Sequence, residues 1–130
     1  MVKTIVLIKR KPGLTQEEFV RRYEEVHAPL ALKHNPTIRK HVRNHVTTLQ
    51  TPPANKELGF DCITEVWFDD TEASKAGLQT VPIIYPKEYD KLLDSWMSAE
   101  AAQAIREDEE SFMDRSKIVL FQVDERVSVI

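Results

Sequence analysis

The sequence predicts an α+β domain whose elements follow the order β-α-β-β-α-β. Three observations predict it. Short aliphatic runs stand near both ends of the chain, at residues 4–8 and 117–123, each the length of a strand covered on both faces. Thr15 and Glu18 form an S/T-x-x-E capping box, after which Phe19, Tyr23, Val26 and Leu30 recur at helical spacing. Residues 38–49 alternate with a period of two, which only a strand explains.

The first strand ends at Lys11-Pro12-Gly13, a turn tripeptide, and the first helix is expected from Gln16 to about Pro29. In the second strand Ile38, Val42 and Val46 share one side, while Arg39, His41, Arg43 and His45 share the other. A loop with two prolines, residues 50–59, leads to a third strand at residues 60–69, rich in Ile63, Val66, Trp67 and Phe68. Asp69-Asp70-Thr71 reads as a helix start. Pro82 and Pro86 divide that helix from two later ones, near residues 87–96 and 99–112. Residues 117–123 form the last strand, and the tail with Val127, Val129 and Ile130 is expected to add an edge strand or an arm.

This order is the split pattern of ferredoxin-like folds, an antiparallel sheet with its helices on one face. Because the first and last strands are apolar on both sides, the uncovered face needs a neighbour other than water. A back-to-back homodimer is the simplest such neighbour.

At 130 residues the chain has the length of one domain, and 42% hydrophobic with 30% charged residues is globular composition. The 18 basic and 21 acidic residues are well mixed and leave a net charge of -3, with no basic stripe for a phosphate backbone. Nucleic acid is therefore not an expected partner. No segment reaches the roughly 20 apolar residues of a membrane span, and Met1–Ile8 lacks the charge order of a signal peptide. Neither membrane attachment nor export is expected. One cysteine, Cys62, forms no internal disulfide and fits a reducing, cytoplasmic setting. The three glycines are scattered, so no phosphate-cradling loop is present, and no G-x-S-x-G elbow occurs. No nucleotide or dinucleotide cofactor is expected.

His27 is the first candidate for chemistry. It lies one turn beyond Tyr23 and just before Ala28-Pro29, so its ring is expected between helix and sheet, where imidazole can accept or donate a proton. The plainer reading is a histidine that hydrogen-bonds the last carbonyls of its helix. Tyr23 is chiefly a packing residue whose hydroxyl could reach a pocket. On strand two, His41 and His45 could bind a substrate oxygen or pair with His27, and Arg43 could neutralise a carboxylate or enolate. The same residues could equally form a polar stripe facing solvent or a second subunit.

Strand three places Asp61, Ile63, Glu65 and Trp67 on one face and Cys62, Thr64, Val66 and Phe68 on the other. Glu65 or Asp61 could orient a histidine, and Glu65 could act as an acid with a raised pKa, or either could be a structural ion pair. Trp67 reads as core or as a stacking platform for substrate. Nothing beside Cys62 in the sequence favours its thiolate. His41 and His45 would lie roughly 13 Å apart along a strand, too far to share one ion, and no metal-ligand spacing motif occurs. No metal site is expected. The run from Arg106 to Glu110 reads as a solvated helix face.

Four stretches carry a family resemblance: KRKPGLTQEEFVRRYEEVHAPLA at residues 9–31, VRNHV at 42–46, FDCITEVWFDD at 60–70 and DEESFMDRSKIVLFQVDE at 108–125. They resemble the EthD family of dimeric α+β barrel proteins, in the expected order and over most of the chain. His41 stands where members often show a tyrosine, a pocket position in a similar muconolactone methylisomerase. The resemblance implies a cofactor-independent enzyme acting on a small aromatic, polyketide or lactone substrate. Its reaction would be dehydration, decarboxylation, cyclisation or isomerisation, with His27 as general acid/base. Two other readings remain open: an oxygenase of similar barrel fold that needs no metal or flavin, and a non-catalytic dimeric ligand-binding protein.

Overall fold

The structure, a computed structural model, describes residues 1–48, 58–69 and 83–130. Its strands are β1 (Val2–Ile8), β2 (Ile38–His45), β3 (Cys62–Phe68), β4 (Ile83–Ile84) and β5 (Val119–Val123). Its helices are α1 (Gln16–Arg22), α2 (Ala28–His34), α3 (Pro86–Trp96) and α4 (Ala99–Phe112). All neighbouring strands pair antiparallel, in the order β2-β3-β1-β5-β4. With the two-residue β4 set aside, this is the ferredoxin-like order that the sequence predicts.

Alternation sorts the sheet into two faces. Val2, Thr4 and Ile8 of β1, every second residue of β3 from Cys62 to Phe68, and Leu120 of β5 are buried toward the helices. The register sets Ile5 opposite both Glu65 and Phe121, and Leu7 opposite both Ile63 and Val119, on the face that no helix covers. Between β1 and α1, Pro12-Gly13 makes the turn. Gly13 has φ of 88°, a conformation that costs glycine little, and Leu14 N–H closes the turn on Lys11 O at 3.1 Å.

Thr15 caps α1 as its sequence predicts, Oγ1 accepting from Glu18 N–H at 3.1 Å. The helix does not stop near Pro29. Instead a π turn, Tyr23–His27, joins α1 to α2, and Ala28 N–H bonds Tyr23 O, five residues back. Proline at position 29 lies in the first turn of α2, where a missing N–H is tolerated. The π turn also shifts the buried face by one residue. Val26, which α-helical spacing assigns to the core, is 37% exposed, whereas His27 and Ala28 are buried.

A second departure lies in β2, where an irregularity between Ile38 and Lys40 breaks the alternation. Ile38 faces the helices with His41, Arg43 and His45 rather than opposing them. Helices α3 and α4 begin where expected: Pro86 occupies the first turn of α3, and Ser98 Oγ accepts from Ala101 N–H at the start of α4. Phe19 and Phe112 meet between α1 and α4 with ring centroids 5.5 Å apart, both with no exposed surface. Full burial of such a ring contributes about 1.5–3 kcal/mol. The tail after β5 forms no strand, and Val127, Val129 and Ile130 are exposed. The helix start at Asp70-Thr71 and most of the 50–59 loop lie outside the described residues. Among the described residues no helix is long and apolar enough to cross a membrane.

Candidate functional site

Between the helices and the covered face of the sheet lies a cavity of about 90 Å³, open on one side. Its walls are mostly apolar, with Val6, Leu93, Trp96 and Ile105 among them, and its polar points are few. His27 and Tyr23 enter from the π turn, Glu109 from α4, and Thr4, Thr64 and His41 from the sheet.

The π turn carries His27 inward, where its Nδ1 lies 2.9 Å from Asp108 Oδ2. Arg22 binds the other Asp108 oxygen, its Nε at 3.1 Å and its Nη2 alongside. Burial works to raise the Asp108 carboxyl, yet the hydrogen bonds from His27 and Arg22 prevail and hold it below the ordinary carboxylate value. An ionised Asp108 accepts only, so Nδ1 of His27 carries the hydrogen and donates. In the neutral ring Nε2 then holds the lone pair. Phe112 packs against His27 with ring centroids 4.9 Å apart and planes inclined by 48°, which fixes the ring further.

Tyr23 stands at the centre of the polar cluster. Its ring meets His27 at 5.6 Å, His41 at 6.3 Å and His45 at 5.7 Å, so three of the four histidines surround it. Its hydroxyl shares a 2.6 Å hydrogen bond with Thr64, and burial pushes its pKa upward. It is therefore a neutral hydrogen-bonding group. His41 is held neutral as well, its pKa lowered to about 4 by burial first and then by the charges of Arg43 and His27. Glu109, next to Asp108 on α4, accepts from Tyr89 OH and, at 3.2 Å, from Arg115 Nε. Burial raises its pKa, and those two partners and His27 oppose the rise.

The face of β2 that bears histidines thus looks toward the helices, but only His41 of the three residues reaches the cavity wall. Arg43 is not available to neutralise a substrate there: it grips Glu24 with two hydrogen bonds, 3.0 and 2.7 Å long. His45 binds the same carboxylate at 2.9 Å. With the Arg43 hydrogen bond as the largest cause, Glu24 is pulled down to a pKa of about 2.

Asp61 and Glu65 do not orient His27, because alternation places both on the uncovered face. Asp61 accepts from Arg10 N–H at 2.9 Å and pairs with Lys9. Glu65 lies 2.5 Å from Lys3 and accepts from Asn44 at 3.0 Å, and these partners, Lys3 foremost, lower its pKa rather than raise it. Trp67 shares that face, with the ammonium groups of Lys3 and Lys40 each 4.7 Å from its ring centre. Cys62 is buried, and burial lifts its thiol to about 11. Among the described residues no three His, Cys, Asp or Glu side chains converge in a way that would hold a metal ion.

The carboxylates that do meet the cluster, Asp108 and Glu109, sit in the run that reads as a solvated face. A signal for them was present. Ala101, Ile105, Asp108 and Phe112 recur at three- and four-residue spacing, as do Ala102, Ile105, Glu109 and Phe112, so both acids fall on the apolar stripe of α4. They are 7% and 1% exposed.

A model of the EthD domain matches residues 11–116. The chain belongs to the EthD family. A solved EthD family protein from Bacillus halodurans aligns over 97% of this chain and all of its own, at 18% identity and a TM-score of 0.56. The crystal structure of an Arabidopsis thaliana protein aligns over the whole of both chains, at 14% identity and a TM-score of 0.52. A solution structure of an Arabidopsis thaliana protein aligns over 99% of this chain and 91% of its own, at 14% identity and a TM-score of 0.53. At such identities these likenesses establish the EthD fold and leave the chemistry to the site. No curated protein matches the sequence.

Proposed function

We propose that this EthD protein is a cofactor-independent enzyme that moves a proton on a small, largely apolar, oxygen-bearing molecule held between its helices and sheet. One observation carries the reading: a buried imidazole backed by an ionised carboxylate borders an apolar cavity that is open on one side. Asp108 fixes the tautomer and stabilises the imidazolium that forms when Nε2 accepts a proton. Neutral groups, the Tyr23 hydroxyl and His41, line the same cavity and can hydrogen-bond an enol or enolate oxygen as charge develops. Dehydration, decarboxylation, cyclisation and isomerisation share such a proton transfer. A homodimer formed through the uncovered sheet face, which presents Ile5, Leu7, Ile63, Val119 and Phe121, completes the proposal.

The test is solvent-deuterium incorporation into a panel of small cyclic enones and phenols, followed by proton NMR. Incorporation faster than in buffer is expected for the native chain and lost in His27→Ala, with the folded state retained by circular dichroism. A His27→Ala variant as active as the native chain would remove the reading.

A further inference from the structure

We propose that the cavity selects an uncharged ring carrying oxygens at opposite edges, anchored at one edge by Thr4 and at the other by His41, and that it rejects carboxylates. From the proposed function this takes only that the cavity holds a ligand.

Thr4 and His41 occupy one row of the sheet. Both are register partners of Val66, Thr4 from β1 and His41 from β2, and all three line the cavity. Their Cα atoms are therefore separated by two strand spacings, about 10 Å, with the Val66 side chain as an apolar floor between them. Thr4 is 1% exposed, and its Oγ1 and the His41 Nδ1 are buried side-chain atoms with no hydrogen-bond partner. Two polar atoms flanking an apolar floor match a flat molecule with an oxygen at each end. Single-ring size follows from the volume. The cavity's 90 Å³ is below the roughly 150 Å³ that encloses benzene, so one ring would fill it and extend into its open side.

Charge decides the rest. Among the described residues no lysine or arginine lines the cavity. The nearby guanidinium groups are committed to carboxylates: Arg22 to Asp108, Arg43 to Glu24, and Arg115 to Glu109 and Asp90. Glu109 itself lines the wall, and His41 remains neutral far below pH 7. The remaining base on the wall, His27, is already paired with Asp108, so a carboxylate ligand would lose its hydration and find no unpaired cation in exchange, while a phenol or ether would lose little.

The test is an NMR titration of the full chain with 4-methoxyphenol, p-cresol and 4-hydroxybenzoate. Binding of 4-methoxyphenol is expected to exceed that of p-cresol, which lacks one oxygen, by about fivefold, the yield of one neutral hydrogen bond. At least tenfold weaker binding is expected for 4-hydroxybenzoate, whose charge is uncompensated. Thr4→Val should bring 4-methoxyphenol down to the level of p-cresol, and Thr4→Ser should restore it. The ligand-free Thr4→Val protein should melt no lower than the native one, since it loses only an unpartnered hydroxyl. Equal or tighter binding of 4-hydroxybenzoate, indifference to Thr4→Val, or no binding of any probe at millimolar concentration would overturn the proposal. Repeating the titration with His27→Ala separates it from proton transfer, because anchoring by Thr4 and His41 should survive that change.

Discussion

Asp108 Oδ2 lies 2.9 Å from His27 Nδ1, and the two side chains come from elements 81 residues apart in sequence. Neither could do its part alone. Without Asp108 the ring would be free to adopt either tautomer, and without His27 and Arg22 the buried carboxylate would lose the partners that keep it ionised. Replacing Asp108 by Asn preserves shape but can accept only through its amide oxygen. Turnover should fall on the order of 10²- to 10⁴-fold, with kcat affected more than KM. Steady-state kinetics on any substrate found by deuterium incorporation checks this, and an unchanged kcat would refute it.

His41 makes stability depend on pH in a stated direction. Its pKa falls from an ordinary 6.5 to about 4 in the folded chain, so between those values the unfolded chain binds the extra proton. Stability from this group is intact above about pH 6.5 and is lost as pH falls through about 4, by roughly 2 kcal/mol once partial exposure of the ring is allowed for. Urea denaturation at pH 7 and pH 4.5 should show the loss in the native chain and a smaller one in His41→Phe.

Arg115 compensates a carboxylate that is 1% exposed. Arg115→Met should destabilise the chain by roughly 3 kcal/mol, because Glu109 loses its cation in a buried setting. Adding Glu109→Gln should recover most of that. A double variant no more stable than the single one would show that Arg115 acts through Asp90 instead, its second partner.

Phe121 stands across from Ile5 near the middle of the uncovered face. If a second copy covers that face, Phe121→Lys should yield monomers in sedimentation velocity while the native chain sediments as a dimer. A monomeric native chain would contradict the dimer proposal.

Much of the fold is legible in the sequence because its signals are local. The Thr15 cap, the Pro12-Gly13 turn and the β3 alternation each depend on a few neighbouring residues, and each is found where expected. The site is less legible. His27 and Tyr23 are readable on helix one, but the π turn that aims His27 inward replaces one hydrogen-bond period by another and leaves no mark in an apolar pattern. Asp108 and Glu109 look solvated because charged residues usually are, and only their coincidence with the stripe of Ala101, Ile105 and Phe112 says otherwise. Glu65 and Arg43 are attractive by type. Strand parity sends the first to the uncovered face, and Glu24 claims the second.

The most direct measurement is nitrogen-15 NMR of the His27 imidazole at a pH where the ring is neutral, with and without 4-methoxyphenol. A protonated Nδ1, an unprotonated Nε2 and a shift of Nε2 on adding the phenol are the predicted result. A proton on Nε2, or a ring that does not respond to any cavity ligand, would contradict the account.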